Sequence, residues 1–327
     1  MPETEKIRVY FLASGEIACP LLEALRQSKR LELVGLASQY KEFKGTGPVR
    51  TIKSPLVRYC EDKKRRIPIS RFASVNTDEF HDAFRKSGAE LLIVASYGQI
   101  LKPALLELPK FGCLNIHASL LPKYRGAAPI IAALLNGDKK TGVSFMRMEA
   151  GLDTGPIYSV AELDISPEDT AGKLEDKLGK LAGERIDDVV EGIVRKGLQP
   201  VPQPEEGASY AGKVSKEDGY IDWNWDAYEI ANKIRAYTPR PGVPVRMPLC
   251  NGTEKNVKLT LAEGKDIDEG TPGEILKVDR EGFLVSCGKG ALLITKLTPE
   301  GKREMDASAY ILGNPKPQEH GFIYSLR

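Results

Sequence analysis

At 327 residues the chain exceeds the usual single-domain length, so two domains are expected. With 41% apolar and 28% charged residues it has the composition of an ordinary globular protein, which argues against disorder, and a net charge of +2 gives no whole-chain attraction to nucleic acid or membrane. Five cysteines (Cys19, Cys60, Cys113, Cys250 and Cys287) are scattered without a C-x-x-C pair, so we expect reduced, mostly buried thiols, no disulfide framework and no metal site.

The polar start, Met1 to Lys6, is unlike a secretory leader, and no run approaches the roughly 20 apolar residues of a membrane span, so no membrane association and a cytoplasmic location are expected. Residues 7–13 read as a buried strand, followed by a turn at Ser14-Gly15 and a helical pattern over 17–28. Residues 31–38 and 90–96 are further strands, with a helix near 77–87 between them. Strands at 112–117, 142–148 and 158–163 enclose a helix at 127–135, and 170–195 carries a long helical period that buries Leu174, Leu178, Leu181, Ile186, Val190 and Ile193. This alternation predicts an α/β fold, a Rossmann-like, mostly parallel sheet with helices on both faces.

Prolines spaced through 198–207 predict an extended, semi-rigid linker. The expected division is a catalytic domain over 1–197, a Pro-rich linker over 198–209 and a second domain over 210–327. Beyond the linker come a helix at 225–236 and short strands at 257–261, 273–278, 282–287 and 291–297, the spacing of a small OB-like β-barrel.

The turn after the first strand carries Gly15 alone and lacks G-x-G-x-x-G, so a bound dinucleotide is not expected there. In Asn115-x-His117, strand alternation points both side chains to one face, where an amide N–H and an imidazole can hold a carbonyl oxygen as it becomes an oxyanion. Alone, such residues at a strand end are more often structural. The loop that follows at once is punctuated by Pro122 and Gly126, and Asp153 lies in a Gly-bounded loop, which favours chemistry. A carboxylate near His117 stabilises a protonated ring or accepts a proton from an amine nucleophile; the competing reading of Asp153 is an Asx turn or helix cap.

Residues 112–129, Gly-Cys-Leu-Asn-Ile-His-Ala-Ser-Leu-Leu-Pro-Lys-Tyr-Arg-Gly-Ala-Ala-Pro, closely resemble the signature of the folate-dependent formyltransferase superfamily. Gly142 to Met148 and Gly151-Leu152-Asp153-Thr154-Gly155 match its second block. Tyr210 to Asp218, Ile221-Asp222-Trp223, Ile234 to Pro239, Gly273 to Leu276 and Leu297 to Met305 resemble the junction and C-terminal barrel of the members that act on methionyl-tRNA. The resemblance implies 10-formyltetrahydrofolate as formyl donor, no metal, and the α-amine of initiator methionyl-tRNA as acceptor, a reaction that serves translation initiation. It places Asn115, His117 and Asp153 in catalysis, Ser119, Leu120, Leu121 and Pro122 on the folate loop, and Ala95, Tyr97, Gly98 and Ile100 along the pterin pocket. A monomer is expected.

Residues 39–55 correspond to the family's insertion towards the acceptor stem, and Lys41, Lys44, Arg50 and Lys53 are the candidate phosphate contacts, against the plainer reading of a solvated basic loop. Lys63 to Arg66 is read as a structural helix-end cluster. The sequence departs from the family pattern at Ala13 to Ala18, where Gly-Thr-Pro-x-Phe-Ala is usual, and at Arg240, commonly aromatic. The alternative acceptor is an amino sugar carried on a nucleotide.

Overall fold

The structure, a computed structural model, describes residues 5–39, 41–43 and 50–326. The chain forms two compact units: the first runs to Pro129 and adds Lys140–Asp164 and Glu175–Tyr210, and the second comprises Ile130–Lys139, Ile165–Leu174 and Ala211–Arg327.

The sheet of the first unit is built from β1 (Ile7–Ala13), β2 (Leu31–Gln39), β3 (Ser70–Phe72), β4 (Leu91–Ala95), β5 (Cys113–His117), β6 (Lys140–Arg147) and β7 (Ile157–Asp164), in the order β7-β6-β5-β4-β1-β2-β3. β1 to β5 pair in parallel, and β6 and β7 are added antiparallel at one edge. β1, β4 and β5 are buried along almost their whole length, which is why they read as unbroken apolar runs: helices cover both faces of a parallel sheet. Strand order reverses at β1, so the carboxyl ends of β1 and β4 flank the crevice where open α/β sheets place their ligands.

Helix Ala18–Gln27 buries Leu21, Leu22 and Leu25, and Asp78–Ser87 buries Phe80 and Phe84 and ends at Gly88, whose φ of 66° suits a residue without Cβ. Tyr10 on β1 meets Phe80 edge-on at 5.6 Å and Phe72 meets Phe80 at 5.1 Å. Helix Ala171–Arg195 buries Leu174, Leu178, Ile186, Val190 and Ile193 as expected, but Leu181 lies half-exposed and Ala182 takes the buried place on the stripe. Helix Pro103–Leu106 and the three-residue edge strand β3 are too short to show a period and were not anticipated, whereas helix Pro55–Glu61 ends just before the Lys63 to Arg66 cluster read as a helix end. Ser14, Ser38 and Ser54 form a chain of hydroxyl contacts of 3.0 and 2.9 Å at the carboxyl end of β1 and β2.

The second unit is a curled antiparallel sheet of β8 (Val243–Pro248), β9 (Glu254–Lys265), β10 (Ile275–Val278), β11 (Phe283–Ser286), β12 (Ala291–Pro299) and β13 (Tyr324–Ser325), ordered β10-β11-β12-β9-β8-β13. The last segment draws its edges together. β13 pairs with β8, while just before it the Ile275 N–H donates to Gly321 O at 2.9 Å and the Ile323 N–H to Gly273 O at 2.9 Å. The result is the barrel-like sheet expected from the strand spacing, with Leu259, Ile275, Phe283, Ile294 and Ile323 in its core beside Ile230 and Ile234 of helix Ala227–Ala236. β8 carries Pro244 and Pro248, which argue against a strand in sequence, and it is tolerated because its outer neighbour β13 spans two residues.

The segment expected to be an extended linker runs without helix or turn over 198–204, turns at 205–207 where the Ala208 N–H donates to Glu205 O at 3.2 Å, and is hydrogen-bonded along the first unit. Val201 and Ile157 exchange both backbone bonds at 2.8 Å, and the Arg125 N–H donates to Ser209 O at 2.8 Å. Periodicity carries no sign of such pairing, since isolated bridges need a tertiary partner.

Candidate active site

β5 delivers Asn115 and His117 to the same face, both under 10% exposed. The β6–β7 loop returns Asp153 to them with φ at +55°, a left-handed conformation uncommon for a residue with Cβ. Gly155 makes that return possible: a Cβ there would collide with the Arg147 carbonyl oxygen. Asn115 Nδ2 donates to Asp153 Oδ1 at 3.3 Å, the Gly126 N–H donates to Asp153 Oδ2 at 2.8 Å, and His117 Nδ1 lies 3.6 Å from the same Oδ2. The three residues singled out in sequence are therefore gathered, and Asp153 is only partly solvated, its side chain 15% exposed.

His117 Nε2 sits 2.9 Å from the Tyr124 carbonyl oxygen. A carbonyl only accepts, so Nε2 carries the hydrogen and Nδ1 is the ring atom that gains or loses a proton. With Nδ1 protonated, the contact to Asp153 is an ion pair; with Nδ1 bare, a lone pair faces a carboxylate. Asn115 keeps a second amide hydrogen beyond the one given to Asp153. An amide and an imidazole, the two kinds of donor that can hold an oxyanion, thus converge beside one carboxylate.

Ser119 is fully buried and its hydroxyl donates to Lys123 O at 2.6 Å; Ser144 on β6 donates to Ser119 O at 2.7 Å and accepts from the Leu121 N–H at 3.0 Å. The Ser119 to Pro122 loop is thus held internally and offers main chain with the partly exposed Leu120 and Pro122 to a ligand. Ala95 is fully buried at the end of β4, Tyr97 is half-buried with no hydrogen-bond partner for its hydroxyl among the described residues, and Gly98 and Ile100 are exposed, Ile100 at 81%. Asn76 fixes that loop, donating to Ile100 O at 2.9 Å and accepting from the Lys102 N–H at 2.8 Å. Burial pushes the Cys113 thiol up to about 12, so it supplies no thiolate at neutral pH.

Of the basic candidates, Lys41 and Arg50 lie on the paired strands Lys41–Phe43 and Arg50–Ile52, and Lys44 falls outside the described residues. Lys53 is half-exposed with Nζ 2.6 Å from Glu61 Oε2, and its ammonium holds the Glu61 carboxyl below the usual range. Arg65 stacks 3.9 Å from the Tyr59 ring centroid and faces Asp62 at 3.7 Å, in keeping with the structural reading of that cluster. Among the described residues no group of His, Cys, Asp and Glu could hold a metal ion, and no helix is long and apolar enough to cross a membrane.

Sequence reasoning did not find Tyr124, Gly126, Ser144 or Gln203, which position the cluster. Tyr124 and Gly126 lay inside the first matched block and Ser144 inside the second, while Gln203 lay outside both; Tyr124 and Gly126 contribute backbone atoms, which leave no side-chain signal, and Ser144 contributes a buried hydroxyl whose partners are backbone.

The Formyl transferase family matches residues 6–190, and its C-terminal domain family matches residues 213–315. A methionyl-tRNA formyltransferase from Geobacter sulfurreducens is 36% identical over 307 residues, covering 94% of each chain. One from Cereibacter sphaeroides is 39% identical over 313 residues, covering 95% of this chain and 98% of its own. The chain belongs to the methionyl-tRNA formyltransferase family. It is a formyltransferase, and both family domains are present. Solved structures share the fold at lower identity: HypX from Aquifex aeolicus in complex with tetrahydrofolic acid has a TM-score of 0.59 at 18% identity, covering 99% of this chain and 51% of its own. An N-formyltransferase from Helicobacter canadensis, in complex with folinic acid and dTDP-3-aminofucose, has a TM-score of 0.58 at 20% identity, covering 88% of this chain and 99% of its own.

Proposed function

We propose that this formyltransferase moves the formyl group of 10-formyltetrahydrofolate to the α-amine of initiator methionyl-tRNA. The observation that carries the reading is the convergence of Asn115 Nδ2 and His117 Nδ1 on Asp153, at 3.3 and 3.6 Å, in a chain that resembles methionyl-tRNA formyltransferases across both units. Asn115, His117 and Asp153 are the catalytic residues of this reading.

The donor supplies an activated formyl carbon on nitrogen. The free amine attacks that carbon, and the oxygen takes negative charge that Asn115 Nδ2 and the protonated His117 Nδ1 stabilise by donation. Asp153 compensates the imidazolium and draws the proton from the attacking amine, directly or through water. Collapse breaks the bond from carbon to the folate nitrogen, which takes a proton as it leaves, and the formyl group stays on the methionyl amine.

In this reading the folate is held by the main chain of Ser119 with the partly exposed Leu120 and Pro122 over the buried Leu121, and by the loop of Ala95, Tyr97, Gly98 and Ile100, where exposed Ile100 beside the bare main chain of Gly98 suits a planar ring. Lys41, Lys44, Arg50 and Lys53 are the proposed phosphate contacts of the tRNA, salt-dependent as such contacts are. In this reading residues 1–197 carry catalysis, 198–209 connect, and 210–327 bind tRNA; the enzyme acts as a cytoplasmic monomer.

The test is formylation of charged initiator tRNA with labelled 10-formyltetrahydrofolate, in parallel with amino sugars on nucleotides and with Asp153→Asn. Transfer to methionyl-tRNA that collapses in the variant is expected. Transfer to a nucleotide sugar alone would overturn the assignment.

A further inference from the structure

We propose that Gln203 is a positioning residue for catalysis, a single amide that locks the Asp153 loop to the loop fixing His117. This rests on the catalytic roles given above to Asp153 and His117.

Gln203 Nε2 donates to Asp153 O at 2.8 Å and to Gly155 O at 2.7 Å, spanning the left-handed residue on both sides. Gln203 Oε1 accepts from Arg125 Nε at 3.1 Å. Arg125, 1% exposed, sits between the two backbone groups the site depends on: the Tyr124 carbonyl that sets the His117 tautomer and the Gly126 N–H that holds Asp153 Oδ2. Ser209 adds a second clasp, its hydroxyl accepting from the Tyr124 N–H at 2.9 Å and its carbonyl from the Arg125 N–H at 2.8 Å. Both active-site loops thus close on residues 203 and 209, which flank the turn at 205–207.

The chemistry requires an amide. Two carbonyls must receive donors and one guanidinium N–H must find an acceptor, and among side chains of this length only glutamine does both. The Asn115 and Gly126 donors hold the Asp153 carboxylate, whereas Gln203 holds the backbone carbonyls of Asp153 and Gly155, so its donors are the ones that offset the cost of φ +55° in the main chain of the turn. A carboxylate displaced by an ångström no longer faces Nδ1, and misplacement of that size costs about 10²-fold in rate.

The experiment is single-turnover formylation by the full chain bearing Gln203→Leu, Gln203→Glu, Asp153→Asn, and Gln203→Leu with Asp153→Asn. Gln203→Glu keeps the acceptor for Arg125 and loses both donors. Each Gln203 variant is expected to lower the rate about 10- to 100-fold with the KM for 10-formyltetrahydrofolate changed less than twofold. In the Asp153→Asn background the further loss from Gln203→Leu should shrink to within about threefold, because the two act through one group. Circular dichroism checks that the variants are folded; if Gln203→Leu is not, Gln203→Glu carries the test.

A near-normal rate for Gln203→Glu, or a loss confined to KM, overturns the proposal. So does an undiminished loss in the Asp153→Asn background, which leaves the catalytic reading standing. If Asp153→Asn alone turns over normally, the catalytic reading and this one fall together.

Discussion

Replacing Asn115 by alanine separates what the amide does for the fold from what it does for the reaction. Its Nδ2 makes one hydrogen bond, to Asp153 Oδ1 at 3.3 Å, and the side chain is 9% exposed. Asp153 is partly exposed, so water can replace that donor, and the loss of stability should be that of one ordinary hydrogen bond, about 1 kcal/mol. In a unit of this size that lowers Tm by about 2–4 °C. An oxyanion donor is worth more, about 3–4 kcal/mol, so kcat/KM for methionyl-tRNA should fall about 10²–10³-fold. Rapid-quench formylation beside differential scanning calorimetry reads both quantities from one preparation. A rate within fivefold of the parent, with the Tm lowered as stated, would refute the oxyanion role and leave Asn115 as a loop anchor.

Gly155→Ala sets a Cβ against the Arg147 carbonyl, backbone that cannot swing aside, with Met146 Cγ at 3.5 Å closing the other direction. A cost of about 1–3 kcal/mol is expected, together with at least a tenfold loss of formylation as Asp153 shifts; wild-type activity would show that the turn has room to move. Burial raises the Cys113 thiol from 9.0 to about 12. Since its folded value lies above the unfolded one, the stability it confers is whole below pH 9 and is lost as pH climbs towards 12, with a slope of about 1.4 kcal/mol per pH unit. Urea titrations of Cys113→Ala from pH 9 to 11 should show the alkaline decline shallower by that amount, and an unchanged slope would contradict it. Alkylation at pH 8 should mark Cys250, which is exposed, and spare Cys19, Cys60, Cys113 and Cys287, as peptide mass spectrometry can read. Ile323→Ala removes a side chain 1% exposed in the barrel core and should cost the second unit about 2–5 kcal/mol. Both tryptophans, Trp223 and Trp225, lie in that unit, so their fluorescence in urea follows its unfolding, and an unmoved midpoint would show that the C-terminal segment does not brace the barrel.

Much of the first unit was readable from sequence because its strands are long, apolar and buried on both faces, and because Leu174, Leu178, Ile186 and Val190 repeat at helical spacing. β3 and β8 were not: the first is three residues long, and the second carries two prolines whose cost depends on which neighbour the strand has. The Pro-rich segment was read as extended, but it turns at 205–207, and its composition says nothing of the bonds from Gln203 and Ser209.

Sequence by itself singled out the candidate residues of the proposed chemistry, since Asn115 and His117 share a strand face through the two-residue period and Asp153 follows between glycines. It also carried the family signature around them. The tertiary structure decided which nitrogen of His117 faces Asp153, because the Tyr124 carbonyl claims the other, and it decided what holds Asp153 in a left-handed turn. Those are hydrogen bonds between segments up to 50 residues apart, as from Gln203 to Asp153, and no local pattern encodes a partner at that distance.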